Sequence, residues 1–125
     1  MNGEVSMEKY ITDEEQVKCQ KVADAFNELG GIENMLVLDA GRYGFVLLQY
    51  YNRQKEFEDV CTFTDSKTMF EKLWHEWFDM QLFMLAKGTP MQEMDYEDIF
   101  KCQPEEKQKK IMDMKIFFAE RAGFV

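Results

Sequence analysis

Apolar side chains recur at three- and four-residue steps over Thr68 to Ala86 (TMFEKLWHEWFDMQLFMLA). Phe70, Leu73, Trp74, Trp77, Gln81, Met84 and Leu85 share one helical face, while Met69, Met80 and Phe83 lie outside it. The C-terminal half of the segment is therefore apolar nearly all round, as in a helix that is central to a fold or lies at an interface. Thr68 with Glu71 has the form of a capping box and is expected to open the helix. Lys87-Gly88 is expected to close it, and Pro90 prevents its resumption.

The segments before it alternate with shorter periods. Residues 1–11 are polar, lack periodicity and read as a flexible lead-in. Thr12-Asp13-Glu14-Glu15 is a second capping box, in which the Thr12 hydroxyl accepts from the Glu15 amide and the Glu15 carboxylate reaches back. Cys19, Val22, Phe26 and Leu29 then make a narrow stripe, and Gly30-Gly31 stops a helix over about residues 13–29. Ile32 to Asp39 reads as a short strand, followed by the turn Ala40-Gly41-Arg42. Tyr43 to Tyr51 (YGFVLLQYY) is apolar at both parities, which implies a central strand covered on both sides, or half-covered by something outside this chain. After the polar turn Asn52 to Lys55, Glu56 to Thr64 places Phe57, Cys61 and Phe63 on one face of a third strand.

Beyond the tryptophan helix, Met94 to Phe100 (MDYEDIF) predicts a short helix capped by Asp95. Pro104 suits the first turn of a final helix striped by Ile111, Met114, Phe117, Phe118 and Ala122. Gly123-Phe124 fits a Schellman ending. The predicted order is α-β-β-β-α-α-α: an α+β fold in which a three-stranded antiparallel meander carries helices packed on one face. Residues 12–125 form one domain, a size typical of single domains.

Composition narrows the function. The 125 residues are 46% hydrophobic and include eleven Phe and ten Met, enough for a substantial core. Twenty-four acids against fifteen bases give a net charge of −9. Such a surface repels phosphate backbones and anionic headgroups, which argues against nucleic-acid or membrane partners and suits a basic protein. It also serves plain solubility. Cys19, Cys61 and Cys102 are odd in number and widely spaced, so neither a disulfide framework nor a thiolate zinc site is expected. Cys19 and Cys61 read as small buried hydrophobes. No secretory signal pattern and no long apolar run is visible, and the expected location is the cytoplasm.

Candidate chemistry is sparse. His75 and Asp79, four residues apart in His-Glu-x-x-Asp, could chelate a divalent metal with Glu76 as base, one turn after Glu71. His75 is the single histidine, so further ligands would have to be carboxylates, and the polar face opposite the tryptophans is where a solvated surface is expected. Ser6 and Ser66 are the two serines, and neither lies in a Gly-x-Ser-x-Gly turn. Glycine-rich dinucleotide or phosphate-loop motifs are lacking, so no cofactor is expected. The α-β-β-β-α start shares its element order with the double-stranded-RNA-binding domain. That family's lysine cluster at the start of the last helix is replaced here by Asp65-Ser66-Lys67-Thr68-Met69-Phe70-Glu71. The only basic cluster, Lys101, Lys107, Lys109 and Lys110, is diluted by Glu105 and Glu106 and reads as a solvated face.

The aromatic excess points elsewhere. Tyr43, Tyr50 and Tyr51 on the central strand, with Trp74 and Trp77 on the helix, exceed what a small sheet must bury and are candidate partner-binding residues. The acidic-aromatic run Asp95, Tyr96, Glu97 and Asp98 is a second candidate. Most of these aromatics are expected in the core of a two-layer domain, with a minority on a contact face.

The stretch Phe63 to Phe100 combines Phe-Thr-Asp-Ser-Lys, Trp-x-x-Trp, Ala-Lys-Gly-Thr-Pro and Asp-Tyr-Glu-Asp. In this it resembles short acidic accessory proteins of bacterial phages and mobile elements. The resemblance implies an inhibitor of a host defence system, such as an anti-CRISPR, or an immunity protein. The expected function is thus a non-enzymatic protein-binding module that meets a basic partner, as an inhibitor or a nucleic-acid mimic. The alternatives are a homodimeric structural domain and, third, a small metal-dependent enzyme at His75 and Asp79.

Overall fold

The computed structural model describes residues 9–29, 35–49 and 59–124, and these form four helices and one antiparallel sheet. The helices are α1 (Asp13–Leu29), α2 (Ser66–Ala86), α3 (Tyr96–Lys101) and α4 (Glu105–Arg121). The strands are β1 (Met35–Asp39), β2 (Phe45–Gln49) and β3 (Asp59–Phe63), in spatial order β1-β2-β3. The α+β class and the element order are those the sequence predicts.

Local chemistry sets the ends of these elements. The Glu15 amide donates to Thr12 Oγ1 at 3.1 Å, so Thr12 caps α1. The Glu15 carboxylate does not close back on its own helix. It accepts from Ser66 Oγ at 2.8 Å and so ties the first turn of α1 to that of α2. Helix α2 starts two residues before the predicted box at Thr68. Its cap is Asp65, whose carboxylate accepts from the Thr68 amide at 2.8 Å. A carboxylate is a stronger acceptor than a hydroxyl at the positive end of the helix dipole, so Asp65 displaces Thr68 from the capping role. At the other end of the chain, Phe124 N–H donates to the Ala119 carbonyl and Gly123 N–H to that of Glu120, with Gly123 at φ 84°. This is the predicted Schellman closure. Phe124 then lies edge-on to Phe70 of α2 at 5.2 Å.

Residues 9–11 do not behave as part of a flexible lead-in. Ile11 is buried, Tyr10 N–H donates to the Arg42 carbonyl at 2.8 Å, and Lys9 pairs with Asp13 at 2.7 Å. Pro104 directly precedes α4. A 3-10 turn over Pro90–Glu93, capped by Thr89, fills the stretch where sequence showed only a helix stop.

The sheet registers Leu36 against Leu48, Val37 against Leu47 and Leu38 against Val46, with Leu47 in turn opposite Cys61 and Phe45 opposite Phe63. Alternation sends Val37, Phe45, Leu47 and Phe63 to the helical layer, where all are buried. Their neighbours Leu36, Leu38, Val46 and Leu48 go to the other side, which the helices do not cover.

The core centres on Phe118 of α4. Its ring stacks on Phe26 of α1 at 4.2 Å and meets the edges of Trp77 at 5.3 Å and Trp74 at 6.3 Å. Three helices are thereby joined through one side chain. Along α2 the buried face swings. Ser66, Met69, Phe70, Leu73, Trp74 and Trp77 are buried in the first half, whereas Leu82 and Ala86 are buried in the second. Continuing the first face, Met84 is 54% exposed and Phe83 is exposed beside it. The predicted stripe is therefore fully buried only as far as Trp77, with Leu85 beyond it partly buried against the core. Past that point α3 and the 3-10 turn cover a different side of α2. On α4, Ile111, Phe118 and Ala122 are buried as predicted, but Phe117 is exposed.

Candidate functional site

The outer face of the sheet is built from strands that are apolar at both parities. Leu36 is 42% and Leu38 44% exposed, although the residue between them, Val37, is 5% exposed. Val46 and Leu48 of β2 lie opposite them, half-buried, and Thr62 extends the Leu38–Val46 row onto β3. None of these five side chains carries charge, in a chain whose net charge is −9. Monomeric proteins rarely expose contiguous apolar patches larger than a few hundred Å², and the largest such patch is often functional.

An aromatic group stands at the end of the sheet where β1 turns into β2. Tyr43 lies in the 3-10 turn Gly41–Tyr43 and not on the central strand as predicted. It is 53% exposed and stacks on the exposed Tyr10 at 5.6 Å, with an interplanar angle of 16°. The Arg42 guanidinium sits over the Tyr43 ring at 4.9 Å and donates to its hydroxyl at 2.8 Å. The Asp39 carboxylate accepts from the Gly41 amide at 2.7 Å and so holds the turn. Gly44 ends it at φ 97°, where a Cβ would stand 2.1 Å from the Phe63 carbonyl oxygen. Only glycine fits at that position.

The other predicted contact residues divide. Tyr50 and Tyr51 lie outside the described residues. Trp74 and Trp77 are 4% and 6% exposed, because Phe118 and the rest of α4 close over them. They are core residues and not a free contact face. Asp95, Tyr96, Glu97 and Asp98 are all exposed around the start of α3, with Glu97 paired to Lys101 at 3.2 Å. Asp95 occupies the cap position of α3 but makes no capping hydrogen bond with its side chain. Leu36 and Leu38 were not singled out by sequence. The available signal was their alternation with Val37 in a sheet expected to carry helices on one face only.

The polar side of α2 is an ordered network. Glu76 accepts from Gln49 Nε2 at 3.0 Å and pairs with Lys72 at 2.9 Å. Gln49 is buried, and its Oε1 has no hydrogen-bond partner among the described residues. Burial pushes the Glu76 carboxyl up, but the hydrogen bonds from Gln49 and Lys72 outweigh it and leave the group below its ordinary value. Asp79 is raised, first by burial and then by the charge of Glu76. His75 is exposed on this side, and Glu71 is engaged by Lys115 of α4 at 3.6 Å. Among the described residues, no three His, Cys, Asp or Glu side chains converge as a metal-binding group would. Cys19 is fully buried, and burial with the nearby charges of Glu15 and Asp65 pushes its thiol up to about 11. A thiol so placed is packing material, since the thiolate is the nucleophile.

Among the described residues, no helix is long and apolar enough to cross a membrane. Comparison with protein-family models, with curated proteins and with solved structures finds no match.

Proposed function

We propose that this chain is a small acidic protein-binding module that acts by contact and not by catalysis. Its docking surface is the outer face of the sheet, bordered by the Tyr10–Tyr43 group. The observation that supports this is the exposure of Leu36 and Leu38 on a sheet whose opposite face buries Val37, Phe45, Leu47 and Phe63. Five-residue strands in a three-stranded sheet give a face of about 17 Å by about 14 Å, or roughly 240 Å². A stable interface needs about 800 Å² per partner, so the apolar face is the centre of the contact and its polar surroundings form the rim. With the chain at −9, its overall charge favours a basic partner and speeds encounter with it. An inhibitor or immunity role, of the kind carried by phage and mobile-element accessory proteins, is the function this mode of action serves.

The test is retention of a partner from the native host by the wild type and by Leu36→Lys/Leu38→Lys. The double variant is expected to keep its fold and to lose the partner, and raised ionic strength is expected to weaken wild-type retention. Equal retention by both forms would overturn the assignment.

A second reading has its own support. Two copies of a chain at −9 repel each other except where charge is absent, and the described outer face is charge-free. A face-to-face homodimer would use it. Sedimentation at tens of micromolar separates the two readings: a dimer that the double lysine variant turns into monomer favours self-association.

A further inference from the structure

A second surface, on the helical side, carries charge as well as apolar groups. The groove between α2 and α4 encloses about 390 Å³ and is lined by Trp77, Gln81, Lys107, Lys110, Met114 and Phe117, among others. Met114 and Phe117 also line an adjoining concavity of about 430 Å³ that reaches Leu29 and Arg121. The two adjoin at Met114 and Phe117, one between α4 and α2 and the other between α4 and the end of α1. Lys110, Met114, Phe117 and Arg121 follow at helical spacing beside the buried Ile111–Phe118–Ala122 stripe, so α4 presents two parallel rows. The first row is core, and the second lines these two adjoining concavities, together the trough.

The ends of the trough differ. At the Arg121 end the guanidinium is held by Glu28, with Arg121 Nε donating at 3.0 Å, and Glu120 adds a further negative charge. At the other end Lys107 has no carboxylate partner among the described residues, and Lys110 meets Glu106 only loosely at 3.8 Å. Asp113, also on the lining, is engaged by Lys109 at 3.0 Å. The trough is thus apolar at its middle, where Phe117 is 55% exposed, and cationic at one end.

From this geometry we infer that the α2–α4 trough is a docking site for a helical segment of a partner protein, with apolar anchors and carboxylates at one end. The anchors sit over Met114 and Phe117, and the carboxylates meet Lys107 and Lys110. The distance from Lys107 to Arg121 along α4 is about 21 Å, the length of a helical segment of about 14 residues. Helix-in-groove recognition uses anchors at this spacing. The site is independent of the outer sheet face, and Lys107 and Lys110 make one end of it cationic in an acidic chain.

The probe is a capped 14-residue helical peptide without tryptophan, with Phe and Leu anchors one turn apart and two Glu-Asp pairs at its N-terminal end. A control peptide carries lysines in place of those acids. Binding is read from the protein's tryptophan emission, since Trp77 lines the trough, and from backbone amide shifts. The acidic peptide is expected to saturate the signal, to shift the amides of Met114 and Phe117, and to bind at least tenfold more tightly than the control. Lys107→Glu/Lys110→Glu is expected to remove that preference, and Phe117→Ser to lower affinity for both peptides. Leu36→Lys/Leu38→Lys is expected to change neither, which separates this site from the sheet face. The inference is overturned by absence of binding at millimolar peptide, by equal affinity for the two peptides, or by unchanged affinity in the double charge reversal. Concentration-dependent self-association that Lys107→Glu/Lys110→Glu abolishes would place a second copy in the trough and equally overturn the assignment.

Discussion

Phe118 is where one side chain does most to join the elements. It is fully buried and contacts rings from α1 and α2. Phe118→Ala removes a ring that neighbours on two helices cannot both move to replace, so a cost of about 3–5 kcal/mol is expected. Domains of this size hold about 5–15 kcal/mol in all, so thermal unfolding should show a loss of about a fifth of the stability or more. Gly44→Ala acts through the backbone: at φ 97° its new Cβ would meet the Phe63 carbonyl. A loss of at least about 2 kcal/mol is expected in the same measurement, although no packed side chain is removed. The cysteines differ in access. At pH 8 a thiol at about 11 is roughly one part in a thousand thiolate, so Cys19 should resist an aromatic disulfide reagent until the protein unfolds. The exposed Cys102 should react at once, and a rate equal for the two would contradict the packing of α1 against α2.

At the scale of elements, the polar side of α2 gives a pH signature. The Asp79 carboxyl is raised in the folded chain, so its ionised form is disfavoured there relative to the unfolded chain. Such a group lowers stability at pH values above its folded pKa, and the loss is relieved as pH falls toward the ordinary carboxylate value. Asp79→Asn should therefore raise the melting temperature at pH 7, with the gain shrinking toward pH 4. Asp65 has the opposite sign. Its carboxyl is lowered by the Thr68 backbone amide it caps, so its contribution is present above the ordinary carboxylate value and lost below it.

What was legible in the sequence follows from the same local chemistry. The Thr12 hydroxyl cap, the Gly123 closure and the α-β-β-β-α-α-α order form as the sequence predicts, whereas the return contact of Glu15 is replaced by its bond from Ser66. The cap of α2 was misplaced because Asp65 and Thr68 are both acceptable caps, and the contest is decided by acceptor strength. The facing of the aromatics was not legible, because exposure depends on which helix lies above. Trp74 and Trp77 look spare until α4 covers them, whereas Met84 and Phe117 look like core until the covering element ends. Tyr43 reads as strand because it precedes an apolar run, but Gly41 and Gly44 hold it in the turn. For the candidate site, the double parity of the second strand was visible, and so was the possibility of a cover from outside this chain. Which residues form that face required the register.

For the whole molecule, the two faces of the sheet divide structure from contact. One face, with Val37, Phe45, Leu47 and Phe63, anchors the helical layer. The other is apolar and neutral on the described strands of an acidic chain. The exposed one-turn pairs Lys18–Glu14, Lys101–Glu97 and Lys110–Glu106, at 3.2 Å or more, add little to stability. Acidity instead shapes encounter, and a partner met by the sheet face should associate more slowly as salt rises. The most direct test of a contact role for that face combines fold and binding in one variant. For Leu36→Lys/Leu38→Lys, thermal unfolding monitored by tryptophan should stay within a few degrees of wild type, while the species retained from the native host, or the second copy, is lost. A variant that unfolds would show the face to be structural, and one that folds and still retains every wild-type partner would show that contact lies elsewhere.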